Sequence, residues 1–149
     1  MTDRDTQGHR HVDHTGDVAV ELWAPTETAL LSEANRAVIE LLTGRGELPA
    51  AGETDEVRHV ELETIDREDR LVQWLNEIIY LAVSEGLLVR DADIEIRDEP
   101  GRGDLVARCR VAPLLPGELV TELKSATYHD LRIEPRDEGG LRAQVVIDV

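Results

Sequence analysis

"DREDRLVQWLNEIIYLAVSEG", residues 66–86, carries the strongest structural signal in the chain. Leu71, Trp74, Leu75, Ile78, Ile79 and Ala82 recur every three or four residues, the period at which a helix sets its side chains along one face. Asp66 stands where an N-cap side chain accepts a backbone N–H, and Gly86 stands where a helix stops. The stretch predicts an amphipathic helix with an apolar stripe to bury.

Working outward, "PTETALLSEANRAVIELLTG" (25–44) repeats the pattern with Leu30, Ala34, Ala37, Val38, Leu41 and Leu42, between a Thr26 cap and a Gly44 stop. "VAVELWA" (18–24) alternates as a strand does, entered from the polar segment "HVDHTGD" (11–17). "RGELPAAGETDE" (45–56) reads as a loop, and "VRHVELE" (57–63) as a strand with Arg58, Val60 and Leu62 on one side. Downstream, "DADIEIRD" and "DLVARCRVA" flank the turn "EPGRG", and "TYHDLRIEP" and "LRAQVVIDV" flank "RDEGG", which predicts two β-hairpins. The class is therefore α+β: mainly antiparallel β-sheet layers packed with two helices, in a single compact domain over residues 1–149.

The interior must come from Leu, Val, Ile and Ala, because the 149 residues include no Phe and only four aromatics, Trp23, Trp74, Tyr80 and Tyr128. Charge is the unusual feature. Thirty-two Asp and Glu face 16 Lys and Arg, a formal net charge of −16. A surface this anionic repels itself unless salt screens it, and at about 1 M salt the Debye length falls to about 3 Å. The balance reads as adaptation to a salty cytoplasm, a halophilic composition; the competing reading is an acidic protein with a basic partner. Strong direct binding to nucleic acid is disfavoured, since phosphates call for clustered cations and bases call for aromatic stacking. The lone Cys109 excludes an internal disulfide. No stretch approaches the roughly 20 apolar residues of a membrane span, and the first residues lack a signal-peptide core, so a soluble cytoplasmic protein is expected.

Three places could carry chemistry. His11, Asp13, His14 and Asp17 crowd the segment before the first strand. A carboxylate there suits a hard cation, or Asp17 is an ordinary turn residue; two histidines without a third soft ligand argue against zinc. At the other end Asp148 stands beside Val149, so two anions lie close together if Val149 ends in a carboxylate, and a cation between them would relieve the repulsion. The third is Lys124, the single lysine against 15 arginines. Its compact ammonium touches one carboxylate or phosphate where arginine would fork across two oxygens; the plain alternative is a surface lysine beside Glu122. Tyr128, His129 and Asp130 look like a proton-transfer set, but consecutive strand residues point to opposite faces.

Taken together, "DHTGDVAVELWA", "VQWLNEIIYL", "LKSATYHDLRIE" and "AQVVIDV" resemble, in order, the motifs of archease, the accessory protein of the RNA-splicing ligase. Gly16 and Ser125 stand where that family usually has Ala. The resemblance implies that Asp17, Asp148 and Val149 bind a divalent cation, calcium first, with magnesium or manganese as alternatives, and that Lys124 is needed for activity. It also implies that the first strand and the last lie side by side. The implied partner is a tRNA-splicing RNA ligase that charges an active-site histidine with GMP. The implied role is to promote that guanylylation and multiple turnover, without catalysis by the chain itself. A metal-dependent phosphoester hydrolase using Asp17, Asp13, His14 and the "TYHD" stretch is the alternative. A chaperone-like module, which needs an exposed apolar patch, ranks below both because the surface is so acidic.

Overall fold

The structure, a computed structural model, describes residues 6–14, 16–45, 55–99 and 102–149. Most of the expected loop over 45–56, and Pro100 and Gly101 of the turn over 99–103, therefore lie outside the described residues. In chain order the elements are β1 (Gly8–His14), β2 (Asp17–Ala24), α1 (Glu27–Thr43), β3 (Glu56–Thr64), α2 (Arg67–Glu85), β4 (Leu87–Glu99), β5 (Arg102–Pro113), β6 (Ser125–Pro135) and β7 (Leu141–Asp148). All pairings are antiparallel, in a four-stranded sheet of order β1-β2-β7-β6 and a three-stranded sheet of order β3-β5-β4.

Both helices start and stop at the residues their caps predict. Thr26 accepts from the Ala29 N–H and Asp66 from the Asp69 N–H, while Gly44 and Gly86 close the helices in the left-handed region. The six apolar residues expected on α2 are all buried, and Trp74 is fully enclosed, its Nε1 donating to the Leu31 carbonyl of α1 at 2.8 Å. That bond satisfies the indole N–H where water cannot reach it. On α1 the buried surface is wider than one stripe, taking in Leu31, Ile39, Glu33 and Asn35, because this helix packs against both sheets and against α2. Asn35 survives there by donating to the Val89 carbonyl at 3.0 Å. A single hydrophobic core joins helices and sheets, and Cys109 lies in it, burial pushing its thiol up to about 12.

One ion pair is built into the packing. Arg70, at 5% exposure, forks onto both carboxylate oxygens of Glu27 at 2.8 and 3.0 Å, tying the start of α2 to the start of α1. Its other terminus reaches Thr64 Oγ1 at 3.3 Å and Asp98 Oδ1 at 3.4 Å. A β-carbon at Gly103 would stand 2.2 Å from Arg70 Nη1, so only glycine leaves room for the guanidinium against β5.

β1 is the element that hydropathy does not announce. It forms one edge of the four-stranded sheet and pairs with β2 alone, from Gly8 opposite Trp23 to His14 opposite Asp17. An edge strand is held by its ladder and by one half-covered face, so it does not need the apolar alternation that marks an interior strand.

Candidate functional site: a charged corner of the four-stranded sheet

β7 is an interior strand whose alternate residues Ala143, Val145 and Ile147 are buried in the core, which pins its register, since a slip of one residue would turn that face outward. In that register Asp17, the first residue of β2, lies directly opposite Asp148, the last of β7. On the other side of β7, Ser125 pairs with Asp148, and the Lys124 N–H donates to the Asp148 carbonyl at 2.9 Å. Asp17, Asp148 and Lys124 thus meet at one sheet corner, with Val149 the next residue along. β2, the strand that the "HVDHTGD" segment enters, and the last strand, β7, lie side by side, as the family resemblance implied.

The two carboxyl groups are close enough to share a hydrogen bond. That bond from Asp17 is the main force raising Asp148 above the usual carboxylate range, with slight desolvation and the Asp17 charge adding to it. Lys124 and His129 pull the other way. Like charges held face to face, with Lys124 in range, make a place where a bound cation relieves repulsion. The donors are oxygens, the ligand type preferred by calcium, magnesium and manganese.

Lys124 is exposed, but its backbone is fixed from both sides. Leu123 is buried at 1%, and Asn76 of α2 binds Ala126 twice, accepting from its N–H at 2.7 Å and donating to its carbonyl at 3.2 Å. Gly16, in the turn into Asp17, has φ +74°, a conformation glycine adopts without strain and alanine does not. The departure from the family's usual residue therefore suits this turn.

The expected alternation of Tyr128, His129 and Asp130 does not hold. The β6–β7 register shifts between Thr127 and Arg132, and Asp130 takes φ 52°. The bulge re-aims all three side chains. Tyr128 donates to Asp69 Oδ1 of α2 at 2.7 Å, while His129 contributes its charge at Asp148 and lies 3.3 Å from Asp130 Oδ2. His129, Asn76 and Asp69 are site neighbours that periodicity cannot find, because each arrives from a distant element or through an irregular backbone.

The crowded segment before β2 is divided. His11 lies opposite Val20, three residues and about 10 Å along the strand from Asp17, and approaches Glu40 of α1 instead. The side chains of Asp13 and His14 lie outside the described residues.

Elsewhere, the outer face of the same sheet holds a concavity of about 450 Å³ rimmed by Arg10, Arg132, Arg136 and Arg142. Carboxylates interleave with these arginines: Glu21 binds Arg10 at 3.0 Å, Glu134 binds Arg142 at 3.0 Å, and Glu138 lies 3.6 Å from Arg136. The cations are locally matched rather than clustered. Exposed apolar side chains do occur despite the acidic surface, with Leu115, Leu119 and Val120 falling within six residues between β5 and β6. Among the described residues no helix is long and apolar enough to cross a membrane.

Fold and corner together define a class: an antiparallel two-sheet α+β protein with two helices and an anionic strand-end pair flanked by a lysine. The chain belongs to the archease family. The sequence pattern described as "Archease protein family (MTH1598/TM1083)" matches residues 9–149. The chain is 34% identical to protein archease of Methanopyrus kandleri over 142 residues, covering 93% of this chain and 96% of that one. It is 33% identical to protein archease of Thermococcus kodakarensis over 141 residues, with the same coverages. Among solved structures it is similar to Methanobacterium thermoautotrophicum protein 1598, with a TM-score of 0.78 at 25% identity over 95% of this chain and 99% of that one. It is also similar to a Thermotoga maritima protein described as an archease and possible chaperone, with a TM-score of 0.56 at 26% identity over 94% and 96%.

Proposed function

We propose that this protein is an accessory factor of an RNA-splicing ligase, promoting guanylylation of the ligase's active-site histidine and its repeated turnover without catalysing a reaction of its own. The observation that carries the reading is the register that sets Asp17 opposite Asp148 with Lys124 hydrogen-bonded alongside. In this reading Asp17 and Asp148, with an oxygen of Val149, hold a divalent cation, calcium before magnesium or manganese, and the cation neutralises the paired carboxylates. The residues present fit such an ion, because the close anions are oxygen donors on rigid strand ends.

The corner is exposed rather than recessed, which suits contact with a partner protein better than turnover of a substrate of its own. Lys124 supplies a compact positive charge to an anionic group of the ligase or its nucleotide. Asn76 and Leu123 act as positioning residues, holding the backbone on which Lys124 stands. In this reading the net charge of −16 suits a salty cytoplasm, where screening keeps the surface from repelling itself.

The test mixes the protein with its ligase, GTP and manganese in high salt and follows guanylylated ligase over many turnovers. Stimulation by the wild type, cut by Asp17→Ala, Asp148→Ala and Lys124→Arg, is the expected result. The lysine swap is the sharpest of the three, because it keeps the charge and changes only headgroup geometry. An unchanged yield of guanylylated ligase with the wild type rejects the role. Chelator-sensitive phosphoester turnover by the isolated protein would replace it with the hydrolase reading.

A further inference from the structure

At the covered face of β1, a second group of ligand-type side chains gathers that the corner does not use. His9 and His11, two residues apart on the strand, project to the same side. Glu33 and Glu40, seven residues apart on α1, line the helix face that meets them. The His9 and His11 rings lie 5.2 Å apart between centroids. One nitrogen of each ring and one oxygen of Glu40 fall within 4.8 Å of one another. His9 Nε2 is 2.6 Å from Glu40 Oε2, and a His11 nitrogen is 4.0 Å from the other Glu40 oxygen.

The surroundings are those of a ligand set. A histidine that binds a metal through one nitrogen usually gives its other N–H to a carboxylate, which fixes tautomer and ring orientation. His9 does this, with Nδ1 2.5 Å from Glu33 Oε2. Glu33 is itself buried at 5% and receives Gln7 Nε2 at 3.1 Å. His11 is under-used: its Nδ1 stands beyond hydrogen-bond reach of Glu40, and its Nε2 is buried without a partner among the described residues. Tetrahedral ligands at about 2.0–2.1 Å from zinc stand roughly 3.3 Å apart, so small side-chain shifts close this set around an ion.

We propose that His9, His11 and Glu40 form a binding site for a zinc-class divalent transition metal, with Glu33 as the positioning residue behind His9. Two imidazoles and one carboxylate are the ligand types that suit zinc, and three protein ligands leave one coordination position for solvent or a partner's side chain. The site differs in chemistry from the oxygen-only corner, so calcium does not compete for it. Without metal, a proton occupies the Nε2 position between His9 and Glu40, and the cation displaces it. Binding clamps the edge strand β1 to α1, and β1 leads through the turn into Asp17.

The experiment uses the full chain, stripped of metal and then held in excess calcium. Zn²⁺ is titrated by calorimetry, and Co²⁺ by its visible absorption. One Zn²⁺ per chain with a micromolar or tighter Kd is expected, abolished by His11→Ala and by Glu40→Gln and unchanged by Asp148→Asn. Glu33→Gln should weaken binding roughly 10- to 100-fold and shift the Co²⁺ spectrum, a change that a merely structural role would not produce. Circular dichroism confirms that each variant is folded, and half-buried Glu40 provides a second variant if His11→Ala does not fold. No binding by the wild type, binding retained in both ligand variants, or loss in Asp148→Asn overturns the site.

Discussion

The Arg70–Glu27 pair and the Asp17–Asp148 pair are opposites in sign and in setting. Arg70 and Glu27 are unlike charges, the arginine buried and the carboxylate half-buried, forked together where helices and a hairpin meet. Asp17 and Asp148 are like charges held open to solvent at the end of a sheet. Burial of Arg70 makes the first pair part of the fold, because its guanidinium without Glu27 would lose the carboxylate that compensates its charge away from water. Exposure makes the second pair tolerable, since water and salt screen it, but gives it no stabilising role. A repulsive pair that contributes nothing to folding fits a place where an ion or a partner binds.

Three variants break or sharpen that contrast. Arg70→Ala should have the largest effect, a loss of about 2–3 kcal/mol in urea denaturation, because both charge-assisted hydrogen bonds to the half-buried Glu27 go with the guanidinium. Asn76→Ala lies between the two regions. It removes both hydrogen bonds to Ala126 and should lower stability by about 1–2 kcal/mol. It should also speed hydrogen exchange at the Ala126 amide, because the segment carrying Lys124 is loosened. The smallest effect belongs to Asp148→Asn without divalent cations, where the urea midpoint should be unchanged or slightly higher at neutral pH and low salt. Calcium should raise the melting temperature of the wild type if the proposed corner site holds it, and that rise should vanish in the same variant. A strong destabilisation by Asp148→Asn would mean that the exposed pair is structural after all.

Much of the fold is legible because helix signals are local. The Thr26, Gly44, Asp66 and Gly86 boundaries and the α2 stripe follow from residues within a few positions of one another. Hairpins β4–β5 and β6–β7 follow from turn residues between alternating runs. β1 is missed because its pattern is polar, although His9-Arg10-His11 places two histidines on one face of any strand built there. His9 and His11 are the pair that faces α1, while the side chain of His14 lies outside the described residues. At the corner, Asp17, Asp148 and Lys124 stand out by residue type, yet nothing local says that they meet. The family resemblance supplied that expectation, and the strand register realises it.

What the amino-acid sequence determined by itself is the set of elements and the character of the surface: two capped helices, alternating strands, an aromatic-poor interior and a large negative charge. Those are properties of near neighbours and of sums. Only the tertiary structure decided which distant residues face each other. Burial of Ala143, Val145 and Ile147 sets the register that opposes Asp17 to Asp148, and the close approach of α1 to β1 brings Glu33 and Glu40 to His9. The physical reason is that strand register and helix placement are chosen by the whole core at once, and charged side chains go where that choice carries them.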